Sequence, residues 1–236
     1  MIGTLINVAT VVVGGLLGVA LGSRLPERLR QTVIAGLGLF TLAFGLQMFL
    51  STKNALVVLG SLLIGALLGE WWRVEDGLKN LGGWLETRLM PVGSGVGENR
   101  FVRGFLTASL VFCVGPMAIL GSIQDGLTGN YQTLAVKSIL DGFGALAFAS
   151  TLGVGVVFSA LVVFVYQGAI TLLAFQLQAL VSDAMMVEMT ATGGVILLAI
   201  AISSLLEIRP IRSGNFLPAL VVAPLMVLLM QWLGLY

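Results

Sequence analysis

Tyr131-Gln-Thr-Leu-Ala-Val-Lys137-Ser-Ile-Leu-Asp141-Gly-Phe-Gly-Ala-Leu-Ala-Phe-Ala-Ser150 is long and apolar enough to cross a bilayer as one helix, yet it carries two charges. Lys137 and Asp141 are four residues apart and so share one helical face. Lys137 is about six residues into the span, roughly 9 Å along a helix, and its long stem can reach toward an interface. Asp141 is about ten residues in, roughly 15 Å, near the midplane, and has no such reach. A charge at that depth costs about 2.5–3.5 kcal/mol on insertion scales, so it is rare without a partner or a task. Two readings stand side by side. The residues form a buried ion pair that locks helix packing, or they form a site whose charge state changes when Asp141 takes a proton or a cation.

The rest of the chain has the same character. Of 236 residues, 58% are hydrophobic and 10% charged, against about 25% charged in a soluble domain. The composition predicts an all-α polytopic membrane protein, residues 1–236 forming a single integral domain. About eight spans are expected, at 4–22, 31–50, 55–70, 101–122, 131–152, 154–178, 191–208 and 216–234. Met1-Ile-Gly-Thr-Leu-Ile-Asn7 lacks the basic start of a signal peptide, so the first run is expected to remain as a span. A net charge of +1 gives no basic field for nucleic acid. There is no histidine, and the single Cys113 sits in an apolar run. That pattern predicts no metal site, no cofactor and no enzyme.

Basic residues orient the spans. Arg24, Arg28, Arg30, Arg73, Lys79, Arg88, Arg100, Arg103, Arg209 and Arg212 all fall on one side of an eight-span arrangement, and only Lys53 falls on the other. Positive-inside bias makes those loops cytoplasmic, with both termini outside. Asp125, Asp183 and Glu188 are then expected in external loops.

The polar stretch 70–100 repeats Trp71, Val74, Leu78, Leu81, Leu85 and Leu89 at helical spacing, with Arg73, Glu75, Asp76, Lys79, Glu86 and Arg88 opposite. It predicts an amphipathic helix lying on the cytoplasmic interface, anchored by Trp71, Trp72 and Trp84. Pro91-Val-Gly-Ser-Gly-Val-Gly97 reads as a loop after it.

Glycine occurs 31 times. Gly14, Gly18 and Gly22 recur every four residues, as do Ser61, Gly65 and Gly69. Small residues so spaced let membrane helices approach closely, within the chain or between copies in a homo-oligomer.

The fourth span is expected to break at Gly115-Pro116, because proline lacks the amide hydrogen that the carbonyl of Phe112 needs. Broken helices of this kind recur at transporter binding sites. Gln124 and Asp125 follow, Asp125 being expected as a loop residue or helix cap facing an external vestibule. Tyr166 and Gln167 are polar residues inside the sixth span; the bland reading makes them contacts between helices. Asp125 and Asp141 form at most a nominal acid–base pair, sixteen positions apart and without histidine or metal motif.

At these residues the sequence resembles the YqgA/YdfK-like bacterial membrane proteins, grouped as a domain of unknown function. The resemblance covers nearly the whole chain and rests on Gly3-Thr-Leu-Ile-Asn7 with Gly14-Gly15-Leu-Leu-Gly18, on Phe112-Cys-Val-Gly-Pro-Met-Ala-Ile-Leu-Gly121, and on Gln124-Asp-Gly-Leu127. Lys137-Ser-Ile-Leu-Asp-Gly142, Tyr166-Gln-Gly168 and Leu217-Pro218 extend it. It implies a bacterial cytoplasmic-membrane protein and carries no established activity.

The leading expectation is a small transporter or channel for an ion or small solute. Asp141 would bind or relay a proton or cation, Lys137 would balance it, and Gly115-Pro116 would expose backbone groups. Asp125, Gln124, Tyr166 and Gln167 are further candidates. The alternative is a scaffold or regulatory protein in which Lys137–Asp141 is only structural.

Overall fold

The computed structural model describes residues 1–89, 98–178 and 181–234. Every regular element among the described residues is helical. The α-helices are α1 (Ile2–Gly22), α2 (Glu27–Phe49), α3 (Ala55–Trp72), α4 (Val74–Leu89), α5 (Glu98–Cys113), α6 (Pro116–Thr128), α7 (Gln132–Leu152), α8 (Gly155–Leu172), α9 (Ala174–Gln178), α10 (Asp183–Ile200) and α11 (Ala219–Trp232). A π turn, Ala201–Leu205, continues α10, and a 3-10 turn, Ser213–Phe216, precedes α11. Among the described residues, seven helical segments are long and apolar enough to span a membrane, and α5 with α6 forms a further pair bent by 62°.

The helices belong to two compact units, one of Met1–Leu37 with Leu78–Ala179, the other of Gly38–Gly77 with Leu180–Tyr236. In the first unit α1 lies along α7. A β-carbon added to Gly14, Gly18 or Gly22 would stand 2.2, 2.3 or 2.2 Å from the carbonyl oxygen of Gly142, Leu146 or Ser150. The four-residue step is matched on both helices, so they run parallel with their backbones in contact, the small-residue packing the sequence predicts.

The same unit decides what the break in the fourth span is. A β-carbon on Gly155, at the start of α8, would meet the carbonyl of Phe101 at the start of α5. One on Gly126, near the end of α6, would meet Thr171 at the far end of α8 and Ala174 at the start of α9. The pair α5–α6 therefore follows α8 along its whole length, about 27 Å, as a single bent crossing does. A re-entrant hairpin would return to the end it left.

In the second unit, α3 packs antiparallel to α11, with Gly65 against Ala219 and Gly69 against Asn215. Gly45 of α2 and Gly194 of α10 face each other's carbonyl oxygens. A polar clasp closes one end. Asn215 donates to Glu70 at 2.6 Å and accepts from the amide of Glu75 at 2.8 Å, while Glu75 accepts from the amide of Gly214 at 3.1 Å. Arg212 pairs with Glu70.

Several expectations change. Asp125 is not in a loop: it lies within α6 and is buried. Glu188 is not in a loop either. It is fully buried on α10, where it accepts from Thr52 Oγ1 at 2.6 Å and from the amides of Lys53 and Asn54 at 2.9 and 3.1 Å. A carboxylate with three such donors is well satisfied, which allows α10 to begin at Asp183 and not near residue 191. The sixth span stops at Leu172, and α9 follows as a separate short helix. The amphipathic repeat is not continuous through Trp71: α3 ends at Trp72, Arg73 adopts a left-handed conformation (φ 52°), and α4 starts anew. Glu75, expected on its polar face, is buried in the clasp, and Leu85 packs with Phe101 and Phe105. The stretch 91–97 lies outside the described residues.

Candidate functional site

Polar side chains gather inside the first unit, in the half that holds the start of α1, α6, the start of α7 and the end of α8. Lys137 and Asp141 are both buried and paired, one turn apart on α7. Asn7 of α1 donates its amide to the same oxygen of Asp141, Oδ2, at 2.9 Å. Asp141 leans toward the start of its helix, as side chains on a helix do, and so reaches Asn7 above the glycine contact between the two helices.

A turn nearer the helix ends, Thr4 faces Thr171 with their hydroxyl oxygens 3.5 Å apart. Farther along, Gly15 packs on Val157. These two contacts fix α1 antiparallel to α8, and that register brings Gln167 to the level of Asn7. Gln167 is fully buried, and neither atom of its amide has a hydrogen-bond partner among the described residues. The same holds for Asn7 Oδ1 and Ser122 Oγ. Buried polar atoms left without a partner each cost about 1–3 kcal/mol, and these four lie in the half that holds the Lys137–Asp141 pair, a place suited to meeting something polar. Thr107 Oγ1 and Ser109 Oγ, on α5 toward the other end, also lack a partner among the described residues.

Asp125 closes this half. Its Oδ2 accepts from the amide of Gly3 at 3.0 Å and pairs with the Met1 ammonium at 2.9 Å, while Oδ1 has no partner among the described residues. Gln124 is exposed beside it and accepts from Thr133 Oγ1 at 2.8 Å. Tyr166 is half-buried, and Phe112, next to Cys113 at the end of α5, touches Gly144, three residues past Asp141. The break therefore lies close to the charged pair. α5 stops at Cys113, and Pro116 opens α6 in the first helical position, where a missing amide hydrogen loses nothing. A methyl group on Gly115 would meet no atom within 4 Å.

Beyond Asp141 the character changes. Phe112 covers Gly144, and its ring lies 6.2 Å from that of Phe148. From there toward the opposite end the interior holds hydroxyl residues, among them Thr107, Ser109 and Ser159, and at that end Arg30 and Arg100 both donate to the carbonyl of Thr151, at 3.1 and 2.8 Å.

The structure thus brings Lys137, Asp141 and the end of α5 together, with Gln167 at the level of Asn7. Gln124 belongs to the rim, and Asp125 holds the start of α1. The two aspartates are held by different partners. Asn7 and Ser122 were missed by sequence reasoning. The signal for Asn7 was present, since it is the only amide side chain in the apolar run 2–22.

A family model described as "Protein of unknown function (DUF554)" matches residues 2–228. The chain is 28% identical over 239 residues to the uncharacterized membrane protein YdfK of Bacillus subtilis (strain 168), covering 100% of this chain and 99% of the relative. It is 30% identical over 223 residues to the uncharacterized protein YqgA of Escherichia coli (strain K12), covering 94% of each. No solved structure matches it.

Proposed function

The chain belongs to this DUF554 family of membrane proteins, and from that premise we propose that it transports a small solute or ion through the first unit, with Asp141 and Lys137 at the binding site. The observation that carries the reading is the set of unpartnered buried atoms on Asn7, Ser122 and Gln167, in the same half of the unit as the buried Lys137–Asp141 pair. Packing alone gives no reason for leaving a glutamine amide unsatisfied in the interior of a membrane helix bundle. The break before Pro116 supports the reading, because an interrupted helix beside a charged pair is the form that transporter sites take. Phe112 and Phe148 then form the barrier on the far side of the site.

The arginine-bearing end of the unit is cytoplasmic on this reading, and the Asp125 end faces outward, in the bacterial inner membrane. Lys137 and Asp141 hold each other's charge in the resting state. A solute that engages either one exchanges that contact for its own.

A second reading has its own support. Asn7, Lys137 and Asp141 satisfy one another across α1 and α7, as a packing lock in a scaffold protein would. Flux into proteoliposomes separates the two. Wild-type protein should move at least one solute of a broad panel, and Asp141→Asn should abolish that flux. Equal flux from both proteins would refute the assignment of Asp141.

A further inference from the structure

Resting on the transport reading, the hydrogen-bond inventory of the site narrows its solute. We infer that the Lys137–Asp141 site takes a small zwitterion of the amino-acid class, and not a lone inorganic ion. Three observations lead there.

The first is charge. Among the described residues, the helices around the pair bring no other ionised side chain to its level. α1 and α8 contain none, α6 contributes only Asp125 near its end, and Glu98, Arg100 and Arg103 belong to the first two turns of α5, toward the opposite end of the unit. Asp125 is already engaged by Met1 and Gly3. The site is therefore neutral as a whole, and a lone cation or anion bound there would leave one charge without compensation in a medium of low polarity. A zwitterion leaves none, because its ammonium meets Asp141 while its carboxylate meets Lys137.

The second is the mixture of unused groups. Asn7 Oδ1 and Gln167 Oε1 accept, Gln167 Nε2 donates, and the Ser122 hydroxyl does either. A bare cation would use the acceptors and strand the donors, and an inorganic anion would do the reverse. An ammonium next to a carboxylate offers three donors and several acceptor positions within one small molecule. A neutral polar solute also offers both kinds, but it cannot replace the ion pair it would have to open.

The third is size. Phe112 over Gly144, with Phe148 beside it, closes the site within about one to two helical turns of Asp141. That limits the ligand to a short side chain.

The test uses full-length protein in proteoliposomes, with uptake of labelled glycine and alanine compared with that of rubidium, chloride, phosphate, glycerol and lysine. Saturable uptake of glycine or alanine is expected, with the other solutes inert as substrates and as competitors. Gln167→Leu should weaken apparent affinity by about tenfold while the protein still elutes and unfolds like the wild type. Saturable flux of an inorganic ion or of glycerol, with glycine and alanine inert, would overturn the zwitterion assignment and leave transport standing. Absence of flux for the entire panel would count against both. Unchanged affinity in a well-folded Gln167→Leu protein would remove Gln167 from the site and contradict the inventory on which the assignment rests.

Discussion

Asn7 and Lys137 converge on one carboxylate oxygen of Asp141, so that the first and seventh helices are joined by a charged hydrogen bond in the half of the unit that holds the start of both. Removing the amide leaves Asp141 with half of its support. Asn7→Ala is expected to lower stability by about 1–3 kcal/mol, read as a shift of the unfolding midpoint in a detergent titration. Asn7→Asp should be worse, because it sets a second carboxylate beside the first. Wild-type stability in both variants would mean that the contact does not hold the helices.

The pair itself should show strong coupling. Lys137→Gln or Asp141→Asn alone leaves one buried charge uncompensated, at a cost of about 3–5 kcal/mol. The double variant Lys137→Gln/Asp141→Asn removes both charges and should recover most of the loss. A double-mutant cycle on unfolding free energies measures this directly. Additive effects would mean that the two side chains do not depend on each other.

Close helix packing makes a sharper steric prediction. A methyl group on Gly18 points at a backbone oxygen 2.3 Å away, which neither helix can move without sliding. Gly18→Ala should cost about 1–3 kcal/mol, as overpacking does. Gly36→Ala, where a methyl meets nothing within 4 Å, should leave the melting temperature unchanged. Equal effects from the two would argue that α1 does not lie on α7 as described.

These features were legible in the sequence to different degrees. The glycine steps 14-18-22 and 65-69 announced close contacts, because spacing on a helix fixes a face, but they did not name α7 and α11 as partners. The break at Gly115-Pro116 was readable from proline chemistry. Its consequence, one bent crossing, depends on what lies beside α8, which no local pattern records. An isolated carboxylate in an apolar stretch looks like a boundary, so Glu188 reads as a loop residue and Asp125 as a loop residue or helix cap. Each is instead held inside a helix by amides from a distant part of the chain, Lys53 and Asn54 for one and Gly3 for the other. Gln167 reads as a polar residue in an apolar span, but that its amide lacks a partner among the described residues is a property of its neighbours alone.

The bent crossing has a topological consequence. In a Cys113→Ala background, cysteines at Asn80 and Asn130 bracket α5 and α6. A membrane-impermeant thiol reagent should reach them from opposite faces of oriented vesicles. Labelling of both from the same face would mean that the pair returns to its starting side.

The central claim is that the half of the first unit around Lys137 and Asp141 is a working site and not a packing lock. Flux by the stability-matched double variant Lys137→Gln/Asp141→Asn, set beside wild type in proteoliposomes, tests it most directly. The account predicts a folded double variant that no longer moves the solute the wild type moves. A double variant that is folded and transports at the wild-type rate would contradict it.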